Sequence, residues 1–172
     1  ARLVSYLLHP LLMPTYGLLL LLFTHNYISF FTPLRAKWML LGITFLFTFF
    51  LPLLNVLILL KAKRIKTLEM ETGQERTLPY VGTAIYYLAL FLLYHSNSIP
   101  SIFTVMVLGA GICIVLTFII NLKWKISAHT IGIGGILGAV SGIIIRYRMD
   151  LVPILLVLLL VAGIVCWARL RL

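Results

Sequence analysis

The sequence predicts an all-α integral membrane bundle of about six transmembrane helices, forming a single domain over residues 1–172. Hydrophobic residues make up 62% of the 172 residues, and only 10% are charged. A soluble domain of this size could not bury so much apolar surface, which indicates that lipid is the solvent. The alternating pattern of a barrel strand is absent from the sequence, so the spanning segments are expected to be helical.

Six apolar segments follow one another along the chain, each about long enough to cross a bilayer. The predicted helices cover about residues 3–23, 38–60, 79–95, 102–122, 127–145 and 151–168. Pro10 and Pro14 predict a kink or break in the first helix, because proline removes a helical hydrogen bond. Pro79 is expected to open the third helix, since proline suits a first helical turn.

Three short polar islands separate these segments, at residues 61–76, 123–129 and 169–171. Two helices lie between consecutive islands, and two crossings return the chain to its starting side. We therefore expect all three islands at one membrane surface, with an interfacial loop at about 61–78. Ten of the 14 Lys and Arg residues fall on this side, which predicts that it is cytoplasmic.

The net charge of +10 bears on the partners of the chain. Basic and aromatic residues do not interleave on a solvated face, so nucleic acid is not predicted as a partner. Anionic lipid headgroups are the partner that a basic membrane edge favours. Cys113 and Cys166 lie inside apolar runs without ligand-type neighbours at metal spacing, which predicts packing roles and neither a metal nor a cofactor.

The sharpest local signal for chemistry is the run from residue 123 to residue 130. Ser127 is placed as an N-cap, which puts His129 in the first turn of the fifth helix. Free N–H groups and the positive helix end favour an anion there, and Lys123 and Lys125 add charge. His129 could protonate a leaving alkoxide or activate water; the alternative is an interfacial histidine beside ordinary snorkelling lysines.

Glycines recur every four residues after this histidine, at Gly134, Gly138 and Gly142. This is the small-xxx-small spacing that lets membrane helices pack closely, and helix packing is the role that we expect. A phosphate cradle is the weaker alternative, because most of these residues lie too deep to meet a headgroup.

Four further residues are candidates for the same membrane edge. Arg76, just before a proline-opened helix, could bind phosphate through two parallel hydrogen bonds or serve as a membrane anchor, with Lys66 as a weaker companion. Arg169 near the end of the chain is uninformative alone. His9 precedes Pro10 and is expected to cap or line the first helix near the island side.

At these islands the sequence resembles the type 2 phosphatidic acid phosphatase superfamily, membrane enzymes that remove phosphate from lipid phosphates. Its motifs are Lys-x6-Arg-Pro, Pro-Ser-Gly-His and Ser-Arg-x5-His, and their order matches this chain from residue 61 to residue 172. Ser127, Ala128 and His129 are similar to Ser-Gly-His, with alanine replacing glycine. Ala168 and Arg169 are similar to Ser-Arg. The closest likeness is to a divergent bacterial branch of short, six-helix members.

The resemblance implies a site and a mechanism. His129 would be the general acid, while Arg76, Arg169 and Lys66, with Ser127, Lys123 and Lys125, would bind the headgroup phosphate. No metal or cofactor would be needed. The nucleophilic histidine of the family, which forms a phospho-enzyme, would fall three residues beyond Leu172. We expect either that it follows there or that phosphohydrolase activity has been lost.

Two function classes are therefore carried forward. The first is a lipid phosphatase of the bacterial inner membrane acting on phosphatidic acid, phosphatidylglycerol phosphate or a polyprenyl diphosphate. The alternative is a catalytically inactive relative that binds anionic lipid or a partner membrane protein. A small transporter is disfavoured, because the predicted helix interiors carry almost no ionisable residues.

Overall fold

The computed structural model describes residues 7–67, 73–124 and 126–170, and all regular secondary structure within these ranges is helical. A single 3₁₀ turn, Pro10–Leu12, precedes the first α-helix. The helices are α1 Met13–Phe23, α2 Tyr27–Phe31, α3 Leu34–Lys61, α4 Gly73–Ser96, α5 Ser101–Asn121, α6 Ala128–Tyr147 and α7 Val152–Leu170.

Five of these helices, α3 to α7, are long and apolar enough to cross a membrane. The apolar segment Pro10–Phe23 is shorter. The chain is thus an integral membrane protein built from α-helices, and the predicted fold class is confirmed. The predicted start of the first helix, at about residue 3, lies outside the described residues.

The longest helix, α3, is interrupted by a turn of π-helix at Leu46–Phe50 and continues from Leu51 to Lys61. Pro52 is the second residue after this turn, and its side chain is fully buried. Proline cannot donate the hydrogen bond of a regular turn, and its ring crowds the preceding carbonyl groups. A wider turn before Pro52 relieves that crowding, which explains how one helix continues through both features.

The prediction that Pro79 opens a helix is wrong. Helix α4 begins at Gly73, and Pro79 lies inside it. A contact distant in sequence holds the earlier start, because the Asn121 side-chain amide donates to the Gly73 carbonyl at 3.0 Å. Arg76 is consequently part of the first turn of α4 rather than a residue that precedes the helix.

The chain divides into two compact units, residues 1–42 with 127–172 (unit 1) and residues 43–126 (unit 2). That the whole chain forms one domain stays a prediction. In unit 1, α6 and α7 form a hairpin, and α1 with its preceding 3₁₀ turn packs against α6. Arg148 ends α6 in the left-handed conformation, with a φ of 53°. The unit 1 core includes Met13, Leu22, Ile133, Val140 and Val165.

Unit 2 consists of the hairpin of α4 and α5, with the C-terminal part of α3 packed against α4. Buried hydroxyl groups join these helices. The hydroxyls of Thr44 and Tyr94 are 2.7 Å apart, and the Tyr87 hydroxyl bonds to Thr48. Such bonds between helices satisfy polar groups that lipid could not solvate.

The spacing of the glycines in α6 predicts close packing against another helix. No such packing occurs in the described part of the chain. Gly134, Gly138 and Gly142 are exposed, and a Cβ atom on any of them would meet nothing within 4 Å in the described part of the chain. These glycines point away from the neighbours of α6, whereas the buried residues of the helix lie on another face. The close approach occurs instead at Gly132, which the spacing did not single out.

Candidate functional site at the start of helix α6

His129 is the second residue of α6, in the first helical turn, as predicted. Ser127 occupies the N-cap position with an extended backbone, but its side chain makes no capping bond. Its hydroxyl oxygen is buried and has no hydrogen-bond partner among the described residues. The Ser127 carbonyl accepts the hydroxyl of Thr130 at 2.8 Å. The first turn of α6 therefore has no side-chain cap from Ser127.

His9 lies beside His129. Their ring centroids are 5.9 Å apart and the rings meet edge to face, at 73°. His9 is also the N-cap of the 3₁₀ turn, since its Nδ1 accepts the Leu11 N–H at 3.3 Å. The predicted capping role of His9 is confirmed. Its pairing with His129 was not predicted, because no local pattern joins residues so far apart in sequence.

The backbone at Gly132 brings the two histidines together. A Cβ atom on Gly132 would come within 2.9 Å of Met13 Cγ and within 3.3 Å of Pro10 Cα. Met13 is itself only 2% exposed, so it has little room to move. Only glycine permits this approach, which sets the 3₁₀ turn one helical turn along α6 from His129.

His9 is neutral near pH 7. Burial, followed by the positive charge that His129 can carry, lowers the pKa of His9 from 6.5 to about 4. Because Nδ1 accepts a backbone N–H, the neutral ring holds its proton on Nε2. The site therefore places the neutral imidazole of His9 against the imidazole of His129.

Arg169 lies at the same end of the α6–α7 hairpin as His129. His129 is the second residue of a 20-residue helix and Arg169 the second-last residue of a 19-residue helix, with a short connection between them. The two side chains thus start at about the same level. Arg169 Nε is buried and without a hydrogen-bond partner among the described residues. A buried guanidinium N–H in this state suits an anionic ligand.

Arg76 belongs to unit 2. Its Nη1 donates to the Ile126 carbonyl at 3.4 Å, and the Tyr80 hydroxyl also interacts with the guanidinium. Arg76 therefore joins the start of α4 to the chain that follows α5. That it meets His129 and Arg169 around a single phosphate stays a prediction.

The predicted lysines are solvent-facing or undescribed. Lys66 is exposed in the connection after α3, and Lys123 is exposed in the turn after α5. Lys125 lies outside the described residues, as does the last basic residue of the third island, Arg171. The structure therefore gives neither of the two described lysines a fixed contact with the candidate site.

Asn121 is a buried polar residue that the sequence analysis missed. It is 4% exposed at the end of α5, where its Nδ2 donates to the Gly73 carbonyl. Its Oδ1 is buried and has no hydrogen-bond partner among the described residues. An amide closing a long apolar run was the available signal, since polar groups in membrane helices seldom lack a partner.

Two open surface depressions occur in unit 1, both far along the helices from His129. One surrounds the α6–α7 connection and includes Arg148 and Asp150. The other follows α1 and includes Asn26, Ser29 and Lys37. Since α6 and α1 both start near His129 and these depressions lie at their other ends, neither depression is part of the candidate site.

Comparisons with known proteins identify no relative. No protein-family model matches the chain, and neither the curated proteins nor the solved structures contain a significant match. Among the described residues, no group of three His, Cys, Asp or Glu side chains could hold a metal ion. Fold and site together define an all-α integral membrane protein with a histidine pair and an arginine at one end of a helical hairpin.

Proposed function

We propose that this protein removes phosphate from a phosphorylated lipid at the edge of a bacterial cytoplasmic membrane, with His129 as the general acid. One observation carries the proposal. His129 in the first turn of α6 lies level with Arg169, whose buried Nε has no partner among the described residues. A proton donor, a cation and a helix N-terminus at one level are the groups that a phosphate ester requires.

The position within the hairpin suits a lipid substrate. His129 and Arg169 lie at the ends of two helices that are each apolar enough to cross the membrane. A headgroup phosphate resides at this depth while its acyl chains stay in the bilayer. Arg169 would hold two phosphate oxygens, and the N–H groups of the first α6 turn would hold a third.

The proposed chemistry has two steps, following the family resemblance. In the first, a histidine nitrogen expected beyond Leu172 bonds to phosphorus while the bond from phosphorus to the lipid oxygen breaks. The leaving oxygen takes the electron pair of that bond and a proton from His129. In the second step, a water oxygen bonds to phosphorus while the P–N bond breaks and its electron pair returns to the nucleophilic histidine. His129 regains its proton from that water, and phosphate leaves.

Arg76 and the three predicted lysines enter the proposal through the resemblance alone. Arg76 would neutralise charge on the phosphate oxygens, and Lys66, Lys123 and Lys125 would raise the local concentration of anionic lipid. We expect loss of Arg76 to lower the rate strongly. Loss of a single lysine should have a small effect that disappears at high salt, because exposed charges are screened.

The test is a phosphate-release assay on the full-length protein in lipid nanodiscs. Phosphatidic acid, phosphatidylglycerol phosphate and a polyprenyl diphosphate are offered separately. We expect release from at least one of them, and a loss of about 100-fold or more in His129→Asn, the range typical of a lost general acid. His25→Asn, which changes an exposed histidine of unit 1, should stay close to the wild-type rate.

A matched arginine pair extends the test. Arg169→Leu should lose release and lipid-phosphate binding together, whereas Arg148→Leu, at the opposite end of the same hairpin, should retain both. If no lipid phosphate is hydrolysed by any preparation, or if His129→Asn is as active as wild type, the proposed function is wrong.

A second candidate is a non-catalytic relative that binds anionic lipid or a partner membrane protein. The first motif favours it, because the seventh residue before Arg76 is Glu69 rather than lysine. Binding of lipid phosphate that depends on Arg169, without any release of phosphate, would support this candidate over the enzyme.

A further inference from the structure

We propose that His9 is a positioning residue for His129: a neutral imidazole, fixed by its own backbone, that orients the His129 ring and leaves the proton of the pair on it. The inference rests on the proposed function for the use of that proton in catalysis. The pairing stands on geometry alone, and the proton assignment stands on the hydrogen bond to His9 Nδ1 together with the burial of that ring. His9 itself is not required to touch the substrate.

The first part of the argument is that His9 is held rigidly. Its Nδ1 accepts the Leu11 N–H, and its carbonyl accepts the Leu12 N–H at 2.9 Å. Pro10 follows directly, with a backbone φ that is fixed by its ring. The two hydrogen bonds and the proline restrict the orientation of the His9 imidazole. The ring can therefore act as a fixed packing surface for His129.

The second part of the argument is that the His9 ring is held at a fixed distance from His129. Pro10 and Met13 occupy the space that a side chain on Gly132 would need, and Gly132 is one turn after His129 in α6. The turn that carries His9 therefore cannot slide along α6 without a clash. The edge-to-face contact, at 5.9 Å between centroids, follows from that register and restricts rotation of the His129 ring.

The third part concerns where a proton can reside. A second proton on His9 would have to go to Nδ1, where it would displace the Leu11 N–H and leave that donor without its acceptor. Burial disfavours it further, since the pKa of His9 is lowered to about 4. Two adjacent imidazoles also resist double protonation. A proton taken up by the pair is therefore expected on His129 before His9.

Among the described residues, Arg169 is the charged group at the level of His129; it lies near the end of α7, which packs against α6. The elements that pack against the turn of His9 are α1 and α6. On α1 the titratable residue is Tyr16, whose hydroxyl donates to the Leu7 carbonyl at 2.9 Å. The titratable residues of α6 besides His129 are Arg146 and Tyr147, which lie at the far end of the helix.

The experiment is a ¹⁵N NMR titration of histidine side chains in the full-length protein in nanodiscs, from about pH 8 to about pH 5. The sequence contains 4 histidines, so His→Asn variants assign each signal. We expect His9 to retain the Nε2–H tautomer over the whole range while His129 takes up a proton. The titration itself is read on the wild-type protein and requires no activity, and the variants serve only to assign the signals.

His9→Asn then separates positioning from capping. Asparagine is a good N-cap, so the variant keeps an acceptor for the Leu11 N–H. It removes the imidazole ring that contacts His129. We expect the thermal midpoint to stay close to wild type, while the His129 titration moves by about half a pH unit or more. The pH profile of phosphate release should move by the same amount. His25→Asn should change neither quantity.

The outcomes distinguish the two proposals. If His9 is protonated with or before His129, or if His9→Asn leaves the titration unchanged, the positioning role is overturned even when phosphate release is normal. If the titrations are as expected and no phosphate is released, the histidine pair stands and the phosphatase assignment fails.

Discussion

Gly132 and Pro10 approach so closely that a Cβ atom on the glycine would lie 3.3 Å from the proline Cα. This contact joins the beginning of the chain to α6, and it places His9 against His129. It also identifies the one glycine of α6 whose lack of a side chain is required by a neighbour in the described structure.

Replacing Gly132 by alanine should destabilise unit 1. The new methyl group would press on Met13 and Pro10, and overpacking of this kind costs about 1–3 kcal/mol. Gly134→Ala is the matched control, because its Cβ would meet nothing within 4 Å in the described structure. In the same helix, that change should raise stability slightly. Thermal unfolding in detergent compares the two variants, and equal midpoints would contradict the close contact.

The stability of the protein should decrease on acidification through the range in which His9 titrates. The pKa of His9 is about 4 in the folded chain, against 6.5 in an unfolded one. Between these values the unfolded state binds more protons, so the free energy of unfolding falls as the pH decreases from 6.5 towards 4. Thermal midpoints measured across this range should fall less steeply in His9→Asn than in wild type or His25→Asn. Parallel curves for all three proteins would show that His9 is not buried as described.

The hydrogen bond between Thr44 and Tyr94 should make a measurable contribution to unit 2. We expect a coupling of about 0.6 kcal/mol between Thr44→Val and Tyr94→Phe, the average for such bonds in membrane helices. A double-mutant cycle on the free energy of unfolding measures it. As a control, Tyr86→Phe in the same helix should show no coupling to Thr44→Val.

Asn121 should hold the first turn of α4. Asn121→Ala removes the donor to the Gly73 carbonyl, and a buried neutral hydrogen bond contributes about 1 kcal/mol. We expect faster amide hydrogen exchange at residues 75–78 and a lower thermal midpoint. Asn97→Ala also removes a side-chain bond to a carbonyl, but an exposed one, and it should leave exchange at the start of α4 unchanged. Equal exchange in both variants would contradict the role of Asn121.

The helical fold could be predicted from the sequence because it depends on composition and segment length. Apolar runs of bilayer length bounded by polar islands determine where membrane helices form. The N-cap position of Ser127 followed for the same reason, since capping is a local property. The start of α4 at Gly73 could not be predicted from Pro79, because a side chain 48 positions away supports it.

The candidate site was only partly predictable. His129 and Arg169 could be proposed from motif resemblance, and the capping role of His9 from the proline that follows it. The contact between His9 and His129 could not be foreseen, because it depends on which α6 glycine meets the first turn. The four-residue glycine spacing predicted close helix packing at Gly134, Gly138 and Gly142. In the structure, the close approach occurs at Gly132. Periodicity shows that a helix has a face of small residues but not which neighbour that face meets.

The role of His129 as a proton donor is tested most directly by varying the leaving group. A lipid phosphate with an alkyl leaving group needs protonation as its P–O bond breaks, whereas an aryl phosphate analogue with an acidic phenol does not. We expect His129→Asn to lose about 100-fold or more in kcat/KM on the alkyl substrate, and far less on the aryl analogue. An equal loss on both substrates would contradict general-acid catalysis by His129.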